Sequence, residues 1–286
     1  MKSYYLRSLL IALIALVVAS SGCIGQGGEK TTAGSQGLVI TNFGFDASTI
    51  PAGEEASLIL ELENVGGATA TGIAKIYGVP FSGDYAWNCG EIQKSIPELR
   101  PPDPVAGTPG DTYTIEWDCI SPDVPTQITQ QFEVDVVYSY QTKVTGTLMV
   151  VDKNYLKSLP ATERQNFYSS GGITQLSVSS GPLSVSVVAP RPLIYQTQGE
   201  SLRVRVIVRN VGGGKVEGNT ITIVEQKGIS CETSSFELTR GEEKSLMCNI
   251  NVQGVQQKAE VPFSLIFSYS YVNHAAATIT LQPEEL

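Results

Sequence analysis

The chain has 286 residues, of which 42% are apolar and 16% charged, with a formal net charge of −9. This length allows one or two domains, and the apolar fraction predicts folded domains rather than extended disorder. The charge is uneven, because residues 38–152 carry 16 acidic and 4 basic side chains (−12) and residues 181–283 carry 8 acidic and 9 basic ones (+1). Nucleic-acid binding needs a basic surface, so we expect no nucleic-acid partner.

The first residues have the pattern of a secretory signal. Lys2 and Arg7 precede an unbroken apolar run over 9–19, which is too short to cross a bilayer comfortably and is typical of a signal peptide. The following Ser-Ser-Gly-Cys-Ile-Gly resembles the processing site of archaeal surface lipoproteins. In that family the cysteine becomes the lipidated first residue, so the resemblance implies lipid attachment at Cys23 and a signal peptide over 1–22.

The lipid would hold the protein at the extracellular face of the cell membrane. Ser20 stands where the bacterial pattern has Leu, which leaves the processing enzyme open. The alternative is an ordinary cleaved signal, or an uncleaved anchor, in which Cys23 is incidental. Residues 23–37 are rich in Gly, Ser, Thr and Gln and predict a flexible tether before the first folded domain.

Alternating apolar residues predict half-buried strands in both halves of the remaining chain. Leu58, Leu60 and Leu62 would face a core, and Glu61 and Glu63 would face solvent. The second half repeats this alternation. There the residues expected to point inward are Leu202, Val204, Val206 and Val208, and those expected to point outward are Arg203, Arg205, Ile207 and Arg209.

The chain also contains an internal repeat, which predicts two copies of one module. In both copies Asn-Val-Gly-Gly follows the alternating strand, and we expect its glycines to turn the chain by adopting positive φ. The repeated blocks are Gly53-Glu54 and Asn64–Gly67 with Gly199-Glu200 and Asn210–Gly213 at an offset of 146, and Phe132–Tyr140 with Phe263–Tyr271 at an offset of 131.

The fold class predicted from these patterns is all-β. We expect two tandem immunoglobulin-like β-sandwiches over residues 38–152 and 181–283, because short strands punctuated by Gly and Pro favour sandwiches of about 100 residues. Residues 153–180 form the connector, in which Ser158-Leu159-Pro160 is expected to open a short helix.

Two cysteines in each half remain after Cys23 is set aside. An even number in an exported protein suggests disulfides, and four cysteines allow three pairings. The domain division favours Cys89–Cys119 and Cys231–Cys248. A metal site is the alternative, which the lack of a C-x-x-C motif and the single histidine disfavour.

The order of strands and turns resembles the cell-adhesion-related (CARDB-like) immunoglobulin fold of archaeal and bacterial surface proteins. The shared pattern runs from Gly-Glu through an alternating strand and Asn-x-Gly-Gly to a further strand preceded by Gly110-Asp111 or Gly241-Glu242. The resemblance implies the fold and a surface location. Its motifs are structural turns, so it implies little about activity.

We find no catalytic motif and expect neither an enzyme nor a cofactor. His274 is the only histidine, and we interpret it as a surface or loop residue, because no Gly-x-Ser-x-Gly elbow accompanies it. Acidic loop residues of the first half could form a Ca²⁺ site or simply a solvated surface. These residues are Asp84, Asp103, Asp111, Asp118 and Asp123.

Two groups are candidate interaction surfaces. Arg203, Arg205 and Arg209, the basic stripe, would either contact a polyanion or an acidic partner or pair with charges on neighbouring strands. The aromatic residues Phe81, Tyr85 and Trp87 would either form an exposed binding cluster or be buried beneath the disulfide.

The leading hypothesis is a lipid-anchored cell-envelope protein with a structural, adhesion or interaction role. Its partner would be another envelope protein or surface component. The alternatives are an accessory subunit of a surface complex or filament, and a solute-binding lipoprotein that feeds a transporter. The solute-binding alternative predicts strands that alternate with helices around a cleft.

Overall fold

The computed structural model describes residues 36–196, 201–239 and 242–283, all of which belong to one compact unit. The predicted signal, Cys23, Gly199-Glu200 and Gly241 lie outside these residues. The strands of the first half are β1 (Leu38–Phe45), β2 (Thr49–Pro51), β3 (Glu55–Asn64), β4 (Ala70–Tyr77), β5 (Gln93–Leu99), β6 (Thr112–Ile120) and β7 (Ile128–Asp152).

The connector contains two helices and a strand, and the second half is again made of strands. The connector contains α1 (Lys153–Ser158), α2 (Ala161–Ser170) and β8 (Ile173–Val178). The remaining strands are β9 (Leu183–Val188), β10 (Leu193–Tyr195), β11 (Ser201–Asn210), β12 (Lys215–Val216), β13 (Thr220–Glu225), β14 (Ile229–Cys231), β15 (Ser235–Glu237), β16 (Glu243–Asn251) and β17 (Lys258–Gln282). The prediction of an all-β fold is confirmed.

One long sheet is common to both halves. β7 and β17 are 25 residues each and pair antiparallel from Ile128 opposite Leu281 to Val151 opposite Lys258. They form the centre of a ten-stranded sheet, in which six strands follow the order β15-β13-β17-β7-β4-β5. The other four pair beside this path, β8 and β10 with β7 and β2 and β12 with β17. The first half of β7 therefore lies beside the second half of β17, and each long strand belongs to both sandwiches. The boundaries at residues 152 and 181 stay a prediction, since strands on both sides of them share this sheet.

Two smaller sheets complete the sandwiches. One has the order β1-β3-β6 and the other β14-β16-β11-β9. The inward residues of β3 and β11 predicted from the alternation are buried, and they join the same core as alternate residues of β7 and β17. Each such Leu or Val side chain stabilises the fold by about 1.5–3 kcal/mol.

The two Tyr-x-Tyr motifs meet at the centre of the shared sheet. Tyr138 lies directly opposite Tyr271, and Tyr140 lies opposite Tyr269. Their ring centroids are 5.9 and 6.2 Å apart, and the Tyr269 hydroxyl is 2.8 Å from Thr142 Oγ1. Burial raises the pKa of Tyr138, Tyr140 and Tyr269 above the ordinary value, so these phenols stay protonated at neutral pH.

The Asn-Val-Gly-Gly turns differ from the prediction, because their glycines do not adopt positive φ. The first glycine of each turn is required by a close approach instead. A Cβ on Gly66 would lie 1.8 Å from the Tyr140 hydroxyl oxygen, and one on Gly212 would lie 2.3 Å from that of Tyr271. Each tyrosine is thus held against the turn of its own half, and the first glycine of that turn has no room for a side chain.

The hydrogen bonds of the two turns also correspond. Asn64 Oδ1 accepts from the Gly66 amide and Asn210 Oδ1 from the Gly212 amide, both at 3.1 Å. The Tyr271 hydroxyl donates to Asn210 Oδ1 at 2.9 Å. These side chains satisfy backbone groups that the end of a strand leaves unpaired.

The connector contains the predicted helix. α2 begins directly after Pro160, whose fixed φ suits a helix start. The connector also contributes to the large sheet, because β8 pairs antiparallel with β7 from Val144 opposite Val178 to Leu148 opposite Ile173. The link between the halves is therefore packed onto the sheet.

Candidate interaction surfaces

The basic stripe lies on the exposed face of the sheet formed by β9, β11, β14 and β16. Arg209 forms a salt bridge with Glu243 on β16, directly opposite in the register. Among the described residues, Arg203 and Arg205 have no acidic side chain within salt-bridge distance. Cross-strand pairing therefore accounts for one of the three arginines, and the other two present their charge to solvent.

The matching face of the first half is acidic. β3 corresponds to β11 in the repeat, and Glu61 and Glu63 project from its outer side. Glu116 and Asp118 extend this face along β6, where Ser57 Oγ donates to Asp118 Oδ1 at 3.1 Å. Both small sheets cover the same face of the shared sheet, so the two halves expose opposite charges at equivalent positions.

Two of the loop aspartates of the first half, Asp111 and Asp103, bind different partners. Asp111 pairs with Arg100 at 3.1 Å, and this contact lowers the pKa of the Asp111 carboxyl. Asp103 Oδ1 accepts the backbone amides of Val105 and Ala106 within its own loop. The part of the chain that the structure describes contains no group of three or more His, Cys, Asp or Glu side chains that could hold a metal ion.

The aromatic residues of the first half do not form one exposed cluster. Trp87 is 1% exposed and packs edge-on against Phe132 with ring centroids 5.0 Å apart. Phe81 is half-buried against the same core, whereas Tyr85 is 56% exposed. Of the three candidates only Tyr85 is available to a partner, and Trp87 is part of the hydrophobic core.

The structure contains two disulfides, Cys89–Cys119 and Cys231–Cys248, which are the two pairs favoured by the domain division. Cys119 and Cys248 lie on the corresponding strands β6 and β16. Cys89 belongs to the loop before β5, whereas Cys231 lies on β14 directly opposite Cys248. Each bridge therefore joins a strand of a small sheet to the segment beside it and closes within one half.

His274 lies in a polar cluster that the sequence analysis missed. Its Nδ1 is 3.0 Å from the Tyr77 hydroxyl and 3.2 Å from Asp135 Oδ1, and its Nε2 is 3.8 Å from Glu133. Burial, followed by the hydrogen bond to Asp135, raises the pKa of Tyr77, so its phenol stays protonated. The cluster joins β4, β7 and β17, strands that come from both halves of the chain.

The cluster borders a cavity of about 590 Å³ at the edge of β17. Gln36, Val39 and Ile40 form one wall, and residues 272–274 form another. The register places His274 directly opposite Asp135, a pairing that follows only from knowing that β7 and β17 are neighbours. No local motif could have brought these residues together.

None of the helices in the described ranges is long and apolar enough to cross a membrane. No family model matches the chain, and no curated protein shows significant similarity to it. Solved structures show distant likeness.

The chain is 13% identical to the D0-D1 domain of intimin, with 78% of this chain and 98% of that chain covered and a TM-score of 0.19. It is 10% identical to a protein of unknown function from Porphyromonas gingivalis W83, with 75% and 83% covered and a TM-score of 0.18. It is 8% identical to the MSCRAMM ACE of Enterococcus faecalis, which binds its ligands by the collagen hug model, with 86% and 95% covered and a TM-score of 0.16. TM-scores this low do not support any inference about the function of this chain.

Proposed function

We propose that this protein is a lipid-anchored, non-catalytic interaction protein of the cell envelope. The observation that carries the proposal is the continuous pairing of β7 with β17, which makes the two sandwiches one body rather than two linked modules. A body of this kind presents fixed surfaces to a partner. It does so without the ordering cost that a hinge would add to binding.

The charge distribution supports a binding role for the second half. Arg203 and Arg205 carry charge into solvent from the middle of a sheet, a flat and rigid platform. Arginine is well suited to such a role because its planar guanidinium binds carboxylates through two parallel hydrogen bonds. We infer that the partner of this face is acidic, and that the acidic face of the first half does not contact it.

The anchor is tested by replacing Cys23 with serine. We expect the variant to appear in the soluble fraction or to accumulate as the precursor, because serine cannot carry the thioether-linked lipid. The measurement is cell fractionation with mass analysis of the N-terminus. Thr31→Ser, in the predicted tether, is the matched control and should remain membrane-bound. A Cys23→Ser protein that fractionates with membranes and has an unmodified N-terminus would exclude the lipid anchor.

The binding face is tested by crosslinking on intact cells. We expect the double variant Arg203→Ser, Arg205→Ser to reduce the yield of crosslinked partner by about tenfold, as the loss of roughly 1.4 kcal/mol would produce. The matched control, Lys227→Ser with Lys244→Ser, removes the same charge from exposed positions in the same half and should keep the yield. An equal loss of crosslinked partner in both double variants would show that binding depends on net charge and not on this face. An unchanged yield in both would show that the basic stripe does not bind the partner.

A further inference from the structure

The outer faces of the two small sheets have the same layout. β3 lies between β1 and β6, and its counterpart β11 lies between β9 and β16. At the repeat offset of 146, Ile59 corresponds to Arg205, and the register places Glu116 opposite the first and Met247 opposite the second. Side chains directly opposite each other lie on the same face of a sheet. The two outer faces therefore share their strand order and differ in the side chains that they carry.

The outer face of β9, β11 and β16 is termed the basic face. In the register Arg205 lies between Val188 and Met247, with Arg203 and Ile207 two positions away on either side along β11. Val188 is 40% exposed, and Ile207 and Met247 are half-buried. The basic face thus combines two arginines that present their charge to solvent with an apolar centre. Arginine and an apolar centre are both enriched in protein interfaces.

The outer face of β1, β3 and β6 is termed the acidic face. Ile59 lies near its centre, with Glu116 opposite it and Glu61 two positions along β3. Glu63 extends the face toward the end of the strand. Lys94 Nζ donates to the Glu116 backbone carbonyl at 2.5 Å, but within the described residues none of the three glutamates has a basic side chain within salt-bridge distance. Their charge is therefore available to a partner.

The two faces match in size and are opposite in charge. The spacing of strands and their rise per residue give each face dimensions of about 15–20 Å by 30 Å. Sheets pack face to face at about 10 Å, with their strands within about 30° of each other. In such a stack Ile59 and Ile207 lie in the interface, and the glutamates face the arginines. The contact buries about 1,000 Å² in total, which is typical of a weak and reversible interface.

Charge also decides which faces meet. Residues 38–152 carry −12, so two acidic faces repel each other, and two basic faces would place arginines against arginines. Residues 181–283 carry only +1, and Arg203 and Arg205 concentrate positive charge on one face. Opposite charges come together when an acidic face meets a basic one. The chain itself thus supplies an acidic surface with the strand layout of the basic one.

We propose that the acidic face of one copy of this chain binds the basic face of a second copy, so that copies associate head to tail. Each contact uses two different faces and leaves one acidic and one basic face free, so the association extends into a filament or closes into a ring. The proposed lipid anchor would confine the copies to one surface and raise their effective concentration. The inference names a second copy as the acidic partner proposed above, and it rests on that role.

The first test is how the mass of the purified protein depends on concentration and salt. Residues 24–286 contain the whole compact unit and leave out the predicted signal and the lipid. We expect sedimentation equilibrium to show self-association with a dissociation constant below about 1 mM in about 0.05 M salt. About 0.5 M salt should weaken it by at least about tenfold, because ions screen the charges. A monomer at every concentration up to about 1 mM, or association that salt does not change, overturns the proposal.

Charge reversal shows which faces meet. We expect Arg203→Glu with Arg205→Glu to be monomeric, and likewise Glu61→Arg with Glu116→Arg, because each chain then carries like charges on both faces. An equimolar mixture should associate about as strongly as the parent, since the first variant keeps the acidic face and the second keeps the basic face. All four positions are exposed, so both variants should melt like the parent. A mixture that stays monomeric overturns the proposal, as does a variant that associates like the parent.

Lys227→Glu with Lys244→Glu is the matched control. It makes the same change in net charge at exposed positions away from the outward residues of β11, and it should associate like the parent. A loss as large as that of the arginine variant would assign the effect to net charge and overturn the proposal. The crosslinking on cells is a separate measurement. A monomeric purified protein whose arginines still capture a different envelope protein would refute self-association and leave the proposed function standing.

Discussion

Replacing Trp87 by alanine is expected to lower the free energy of unfolding by about 3–5 kcal/mol, the usual cost of removing a large aromatic side chain from a core. Trp87 is 1% exposed and lies between Phe45 and Phe132, with centroid distances of 6.0 and 5.0 Å. Its indole N–H donates to Gln130 Oε1, so the substitution also leaves that amide oxygen without its partner. The cavity would open directly beside the Cys89–Cys119 bridge.

Tyr85→Ala is the matched control two residues earlier in the same loop. Its ring is 56% exposed, and surface substitutions of this kind usually change stability by less than about 0.5 kcal/mol. Urea unfolding followed by circular dichroism measures both variants, with the disulfides kept oxidised. Comparable effects of the two substitutions would contradict the division of this loop into a core residue and an exposed one.

Gly212→Ala is expected to destabilise the protein by about 2–4 kcal/mol. The new Cβ would lie 2.3 Å from the Tyr271 hydroxyl oxygen and 2.8 Å from Pro182 Cβ. Forcing extra volume into a packed site costs about 1–3 kcal/mol, and displacing the hydroxyl from Asn210 and from the Gly214 amide loses about 1 kcal/mol more.

Gly213→Ala provides the control, because its nearest contact would be Gln36 Nε2 at 4.0 Å. We expect a change of less than about 0.5 kcal/mol there. A double-mutant cycle of Gly212→Ala with Tyr271→Phe isolates the clash. The two changes together should cost less than the sum of the separate costs, since phenylalanine removes the atom that the new methyl group meets. Strict additivity would show that the glycine is needed for another reason.

Much of the fold was predictable because the signals are local. Leu58 to Leu62 and Val204 to Val208 alternate with polar residues, and a period of two is a property of a single strand that holds in any sheet. The repeat likewise follows from comparing one segment of the chain with another. The disulfide pairs followed from the domain division, since each bridge closes within one half.

The candidate sites were only partly predictable. The outward direction of Arg203 and Arg205 follows from the alternation, but the pairing of Arg209 with Glu243 depends on β16 being the neighbour of β11. The burial of Trp87 likewise depends on Phe132, 45 positions further along the chain. The first glycine of each Asn-Val-Gly-Gly turn was correctly expected to be required, but the expected reason, positive φ, was wrong, because the tyrosine hydroxyl that excludes a Cβ comes from a distant strand.

The sequence by itself determined that this protein is all-β, which residues of its strands face the core, and that two copies of one module are present. Only the tertiary structure decided that the copies share a sheet, with Tyr138 opposite Tyr271 and His274 opposite Asp135. It also decided that β8, which comes from the connector, pairs with the edge of β7. The physical reason is that alternation specifies which face of a strand is buried, whereas the neighbour of a strand is set by pairing between residues more than a hundred positions apart, on which no local pattern depends.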